Sequence, residues 1–287
     1  MIQNLPQKIK IVEVGPRDGL QNEPVFISTE DKFVFIQKLI ESGFTNIEIT
    51  SFVKSSSIPQ MDDAERLYEF LNRDLSQKAT FISLVPNMRG FDRAMKQYIT
   101  HIALFSSTSN VFNKKNINCT IDESFEKLKP VALKAKQKNV KIRAYISTAF
   151  GCPYIGNISF DVLKSVIERF LQLGVYELSL GDTIGIATPI QVENTLIELK
   201  KYFDLSQLAF HFHDTRGMAI TNIFVSLQHG ISIFDSSAAG LGGCPYAKGA
   251  AGNVATEDLV YLCESLGLDS GIDMKKLAEA SGFILSK

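Results

Sequence analysis

Eight short β-branched runs alternate with longer helical patterns along the 287 residues, and this rhythm predicts a (β/α)8 TIM barrel with an additional C-terminal helix. Two further observations point the same way. Gly43, Gly174 and Gly230 each close a helical pattern just before a strand, where a left-handed residue is needed. The polar residues able to do chemistry fall at the ends of the strand runs, which such a barrel gathers at one mouth. A doubly wound open sheet is the rival, but no GxGxxG follows the first run.

The strand runs are residues 9–14, 46–52, 80–85, 101–106, 141–147, 176–180, 208–213 and 233–238. Most are short, apolar and rich in Val, Ile or Phe, as suits a strand buried on both faces. The helical pattern at 29–41 places Phe33, Ile36, Leu39 and Ile40 on one face, and Ser28-Thr29-Glu30-Asp31 puts hydroxyls and acids at its start. Similar patterns occupy 122–138, 161–173, 189–202 and 218–228; Thr188-Pro189 sets proline at a first helical position. The tail adds a helix at 274–280. No linker or low-complexity segment divides the chain, so residues 1–287 are expected to form one catalytic domain.

Composition narrows the function classes. With 45% hydrophobic residues there is apolar material for a large core. Lys plus Arg is 30 and Asp plus Glu is 31, so no basic surface argues for nucleic acid. No apolar run approaches a membrane span of roughly 18 residues. The cysteines, Cys119, Cys152, Cys244 and Cys263, lack CxxC spacing, and the polar N-terminus has neither signal nor transit character. Reduced thiols and a cytoplasmic location are the expectation.

The densest chemistry lies in His211-Phe212-His213-Asp214. Residues two apart on a strand share a face, so the two imidazoles project together as half of a metal site. The plain alternative is a pair of hydrogen-bonded core histidines. Asp18, in Gly15-Pro16-Arg17-Asp18-Gly19 after the first strand, would add a carboxylate, and Asn253 a fourth oxygen. Nitrogen and oxygen donors without thiolate favour Mg or Mn, with Zn or Fe open. Taken singly, Asp18 reads equally as a turn residue and Asn253 as a helix cap. Arg17 could stabilise a developing oxyanion, or pair with Glu48 of the second strand across the mouth. Asp182, after the sixth strand, reads as a base, a supporting residue or a capping aspartate. Cys244, among Gly240, Gly242, Gly243 and Pro245, suggests a closing loop that carries a proton-bearing thiol.

Four segments together resemble the 3-hydroxy-3-methylglutaryl-CoA lyase family. They are Gly15 to Glu23 (GPRDGLQNE), Ser179 to Gly185 (SLGDTIG), His211 to Thr215 (HFHDT) and Gly240 to Asp258 (GLGGCPYAKGAAGNVATED). Arg-Asp with His-x-His alone would mark only a wider group of metal-dependent barrels, including condensing synthases; the Cys244 loop is more specific. The resemblance runs from Ile9 to about Ile284. It implies cleavage of 3-hydroxy-3-methylglutaryl-CoA to acetyl-CoA and acetoacetate, a step of leucine degradation and ketone-body formation, in a cytoplasmic homodimer. It implies metal ligation by Asp18, His211, His213 and Asn253, enolate stabilisation by Arg17, substrate contact by Arg17 and Gln21, proton transfer by Cys244, and catalytic places for Asp182, Glu48 and His211. The chain departs from the family at Pro24 (often Lys), Arg216 (often Tyr), Asn110 (usually Glu) and across 54–58. The alternatives are a related barrel lyase or aldolase acting on another 3-hydroxyacyl-CoA or a 2-oxo acid, and a catalytically silent scaffold.

Overall fold

The computed structural model describes residues 5–54, 58–75, 77–243 and 251–287. Eight parallel strands close into a barrel in sequence order: β1 Lys10–Glu13, β2 Asn46–Ser51, β3 Thr80–Leu84, β4 His101–Ser107, β5 Lys141–Ser147, β6 Glu177–Asp182, β7 Leu208–Phe212 and β8 Ile233–Ser236. Pairing of Lys10 with Ile233 through Glu13 with Ser236 joins β8 back to β1. Every expected strand is present, with ends shifted by one or two residues, within the fraying expected of strand termini.

The helices form the outer layer: α1 Thr29–Glu41, α2 Ala64–Asp74, α3 Met88–Met95, α4 Asn110–Ile117, α5 Ile121–Gln137, α6 Phe160–Gln172, α7 Pro189–Leu199, α8 Ala219–Gln228, α9 Thr256–Ser265 and α10 Met274–Leu285. The expected patterns correspond to α1 and α5–α8, and the tail helix extends to Leu285. Helices α2, α3, α4 and α9 are additional. In α2 the signal was present: Leu67, Tyr68 and Leu71 share its buried face. α4 is harder to read, because only Phe112 and Asn113 are buried on it.

Local chemistry sets the helix ends as expected. Ser28 accepts from Asp31 N and Thr188 from Gln191 N at the starts of α1 and α7. Gly43, Gly174 and Gly230 have φ of 112°, 79° and 90°. Phe35, Ile36 and Leu39 of α1 are fully buried between helix layer and barrel. A smaller cluster of Val12, Val14, Ile82, Ala103 and Tyr145 fills part of the barrel interior.

The interior is not wholly apolar. Glu48, Arg143, Glu177 and Asp235 are buried there as well. Register places three of them in one belt with His211: Arg143 beside Glu177, His211 beside Asp235 and Asp235 beside Val12. Among the described residues no helix is long and apolar enough to cross a membrane.

Candidate active site

The chain leaves β1 through a single π-helical turn, Gly15–Gly19. The N–H groups of Arg17, Asp18 and Gly19 all converge on the Val14 carbonyl, at 3.1, 2.8 and 3.2 Å. This tight turn sets Arg17 and Asp18 at the mouth on adjacent positions. Glu13, the last residue of β1 and two before the turn, is buried and anchors it. Its Oε1 accepts from Gly15 N at 2.7 Å and Ala238 N at 2.9 Å, and its Oε2 from Thr256 Oγ1 at 2.7 Å. Burial pushes the Glu13 carboxyl up to about 7 against these hydrogen bonds.

The segment after β8 packs directly on this turn. A Cβ on Gly19 would lie 2.8 Å from Ser237 Oγ and 2.9 Å from Leu241 Cβ. Gly242, with φ of 96°, faces it; a Cβ there would meet Asn253 Nδ2 at 2.7 Å. Glycine at both places lets the two loops meet backbone to backbone.

Asp18, His211 and His213 each offer a ligand atom, all within 4.8 Å of one another. The two imidazole centroids are 5.2 Å apart, as the same-face strand reading requires. Asp18 Oδ1 accepts from Arg17 Nη1 at 2.7 Å and Gln21 Nε2 at 2.9 Å; its Oδ2 accepts from Asn253 Nδ2 at 3.0 Å. Burial opposes the Asp18 charge, but Arg17, His211 and His213 outweigh it and hold the carboxyl below the usual carboxylate range. Burial and His211 push His213 down to about 4, so its imidazole is neutral and its lone pair available.

Asn253 is not a helix cap; Ala255 holds that place before α9. It bridges to His213 in an isolated antiparallel pair, and its amide also donates to Leu241 O at 3.0 Å. Its Oδ1 is buried without a hydrogen-bond partner among the described residues. A buried orphan oxygen beside a carboxylate and two imidazoles is what a divalent cation would satisfy, and the donor set fits Mg or Mn.

Both expectations for Arg17 bear on the geometry. Its Nη2 pairs with Glu48 Oε2 at 2.5 Å across the β1–β2 junction, and its guanidinium lies 5.4 Å from the Tyr145 ring centroid. Burial pushes the Glu48 carboxyl up, with Arg17 opposing. Arg17 Nε is buried without a hydrogen-bond partner among the described residues. Arg17, Asp18, Gln21, His211 and His213 line one cavity of about 670 Å³.

Asp182 turns into its own loop: its oxygens accept from Ile186 N and Ala187 N, each at 3.0 Å, and burial pushes it up to about 6. Arg216 donates to Ile184 O and Gly185 O at 3.2 and 3.1 Å, bracing the same loop. Asn110 accepts from Ile121 N at 2.8 Å, tying α4 to α5. Cys244 lies outside the described residues, as do residues 55–57. Sequence reasoning missed Glu13, Tyr145, Arg143, Glu177 and Asp235. Charged residues inside otherwise apolar strand runs were the available signal.

The family model described as HMGL-like matches residues 8–284. The hydroxymethylglutaryl-CoA lyase of Bacillus subtilis is 46% identical over 282 residues, 98% of this chain and 94% of the relative. The crystal structure of hydroxymethylglutaryl-CoA lyase from Pseudomonas aeruginosa superposes with a TM-score of 0.96 at 42% identity, covering 99% of this chain and 94% of that one. An HMG-CoA lyase from Acinetobacter baumannii, solved with coenzyme A and 3-methylmalate, gives 0.91 at 35% identity, covering 98% and 91%. With a barrel, a cluster of metal-ligating side chains and near full-length relatives in agreement, the chain belongs to the HMGL-like family.

Proposed function

We propose that this chain is a divalent-metal-dependent carbon–carbon lyase that cleaves 3-hydroxy-3-methylglutaryl-CoA to acetyl-CoA and acetoacetate. The observation that carries the reading is the convergence of Asp18, His211, His213 and the orphaned Asn253 oxygen beside the Arg17 guanidinium. The substrate class comes from the lyases that match nearly the whole chain.

Asp18, His211, His213 and Asn253 would hold the cation. A cation held there would act as a Lewis acid and make the tertiary hydroxyl of the substrate more acidic. The hydroxyl must lose its proton as the bond between C2 and C3 breaks. The enolate of the CoA thioester that results must then gain a proton at carbon. The two transfers cancel, so one group that accepts and returns a proton closes the cycle. We assign that role to the Cys244 thiol.

Arg17 is assigned to the enolate oxygen. Its ion pairs with Asp18 and Glu48 fix the guanidinium plane before substrate arrives, so little reorganisation remains to be made during reaction. Gln21 holds Asp18 and borders the substrate space. Glu48 supports Arg17, and Asp182 acts through the loop it caps. One catalytic domain spanning 1–287, a cytoplasmic location and a homodimer belong to the same reading; sedimentation of the purified protein tests the dimer.

The decisive experiment is a cleavage assay with Mg2+ or Mn2+. Formation of acetoacetate and acetyl-CoA in equal amounts from 3-hydroxy-3-methylglutaryl-CoA is the expected result. Metal-dependent cleavage only of a different hydroxyacyl-CoA or 2-oxo acid would place the chain elsewhere among barrel lyases and aldolases. No cleavage of any of them would leave the scaffold reading.

A further inference from the structure

A string of charges, buried except for the partly exposed Lys10 at its outer end, crosses the barrel and ends on one of the site histidines. Lys10 Nζ meets Glu177 Oε2 at 2.7 Å, Arg143 Nε donates to Glu177 Oε1 at 2.5 Å, and Arg143 Nη2 donates to Asp235 Oδ1 at 2.6 Å. The other Asp235 oxygen accepts from Ser179 Oγ at 2.6 Å and faces His211 Nδ1 at 3.4 Å. His211 and Asp235 are register partners on β7 and β8. The opposite ring nitrogen, Nε2, faces Asp18 Oδ2 at 3.9 Å, so one edge of the imidazole looks at the ligand cluster and the other at Asp235.

Two cations and two anions cancel along the string. An apolar filling of similar volume would serve packing at least as well, because buried ion pairs seldom repay their desolvation. What apolar side chains could not supply is an oriented acceptor behind His211. A ligating histidine typically donates its second N–H to such a carboxylate, which fixes tautomer and ring orientation. Neither Nδ1 makes a full hydrogen bond, but among the described residues only that of His211 has a carboxylate facing it; none lies within 4 Å of the His213 ring nitrogens.

We propose that Asp235, held in place by Arg143 and Ser179, is a positioning residue that keeps the proton of His211 on Nδ1 and so presents the Nε2 lone pair to the cation. The inference rests on the reading of His211 as a metal ligand. It assigns asymmetric support to the two histidines: among the described residues, only His211 is backed by a carboxylate.

The test uses full-length protein labelled with 15N at histidine, freed of metal and studied at alkaline pH. Two-bond proton–nitrogen correlations report which ring nitrogen carries the proton. His211 should carry it on Nδ1 in the wild type. Asp235→Asn should move it toward Nε2 without altering the His213 pattern. Mn2+ affinity, read by electron paramagnetic resonance, should fall about 10- to 100-fold in Asp235→Asn. Ser179→Ala, which keeps the Arg143 pair, should show a smaller loss and serves if the first variant does not fold. A wild-type His211 protonated on Nε2 would overturn the proposal, whatever the variants do. So would unchanged Mn2+ affinity in Asp235→Asn, or in Ser179→Ala if that is the variant that folds. His211→Ala separates the two readings. Wild-type affinity in that variant sinks the ligand assignment and this inference with it. Weakened binding there, with Asp235→Asn unchanged, sinks this inference alone.

Discussion

Arg17 is the residue on which charge and shape separate most cleanly. Its two terminal nitrogens hold different carboxylates, Asp18 at 2.7 Å and Glu48 at 2.5 Å. Lysine keeps the charge but cannot span both. Arg17→Lys should lower kcat by about 10²-fold or more with a smaller effect on KM. A change confined to KM would make Arg17 a ground-state binding residue. Glu13 offers a pH test. Its carboxyl is pushed up to about 7 in the folded protein, from an ordinary 4.5. Between those values the folded state binds more protons than the unfolded one, so this group's contribution falls as pH rises from about 4.5 to 7. Glu13→Gln retains an acceptor for Gly15 and Ala238 and removes the ionisation. Thermal unfolding across pH 4–8 should show a shallower decline for the variant. Identical slopes would mean that Glu13 does not titrate in this window.

Among the elements, α1 and α10 show how a helix end is fixed by what packs on it. Gly43 ends α1 with φ of 112°, and a Cβ there would lie 2.2 Å from the Gly271 carbonyl in the turn that leads into α10. Lys287 at the far end of α10 pairs with Asp31 of α1 at 2.9 Å. Gly43→Ala combines a disfavoured backbone conformation with a backbone clash and should destabilise by about 1–3 kcal/mol. Urea unfolding would measure it, and an unchanged midpoint would show that the 271 turn yields freely. The helical periodicity of α1 was plain in the sequence because its apolar stripe is long. α4 was not, because it is two turns of mostly polar residues over the mouth, and its existence follows from Ser109 capping Phe112 N and from Asn110 tying it to α5.

Across the whole molecule, the candidate ligands come from three separate regions: the turn after β1, the end of β7 and the segment after β8. A cation held there would bind the folded barrel and not the unfolded chain, so it should raise the unfolding temperature with concentration. Removing metal with EDTA should abolish cleavage and lower that temperature, and Mg2+ or Mn2+ should restore both. His213→Ala should weaken the stabilisation while leaving the barrel folded. If the melting temperature ignores metal, the four-residue site is not a cation site.

Local pattern alone determined the number and order of strands, the helix-closing glycines, the pairing of His211 with His213 on one face and the placing of the polar residues at one mouth. These depend on spacings of two to four residues and on strand direction, which propensity and periodicity carry. The ion pair of Arg17 with Glu48 was open as one of two readings, since both sit at the mouth. Tertiary structure alone decided that Asp182 turns into its own loop, that Arg216 braces that loop through main-chain carbonyls, and that Asn253 leaves an oxygen orphaned beside Asp18. It also decided that Arg143, Glu177 and Asp235 share one belt with His211. Which residues stand side by side in a closed barrel is set by the register of each strand on its neighbours and by closure of β8 on β1. Both are long-range packing choices that no short window of sequence encodes.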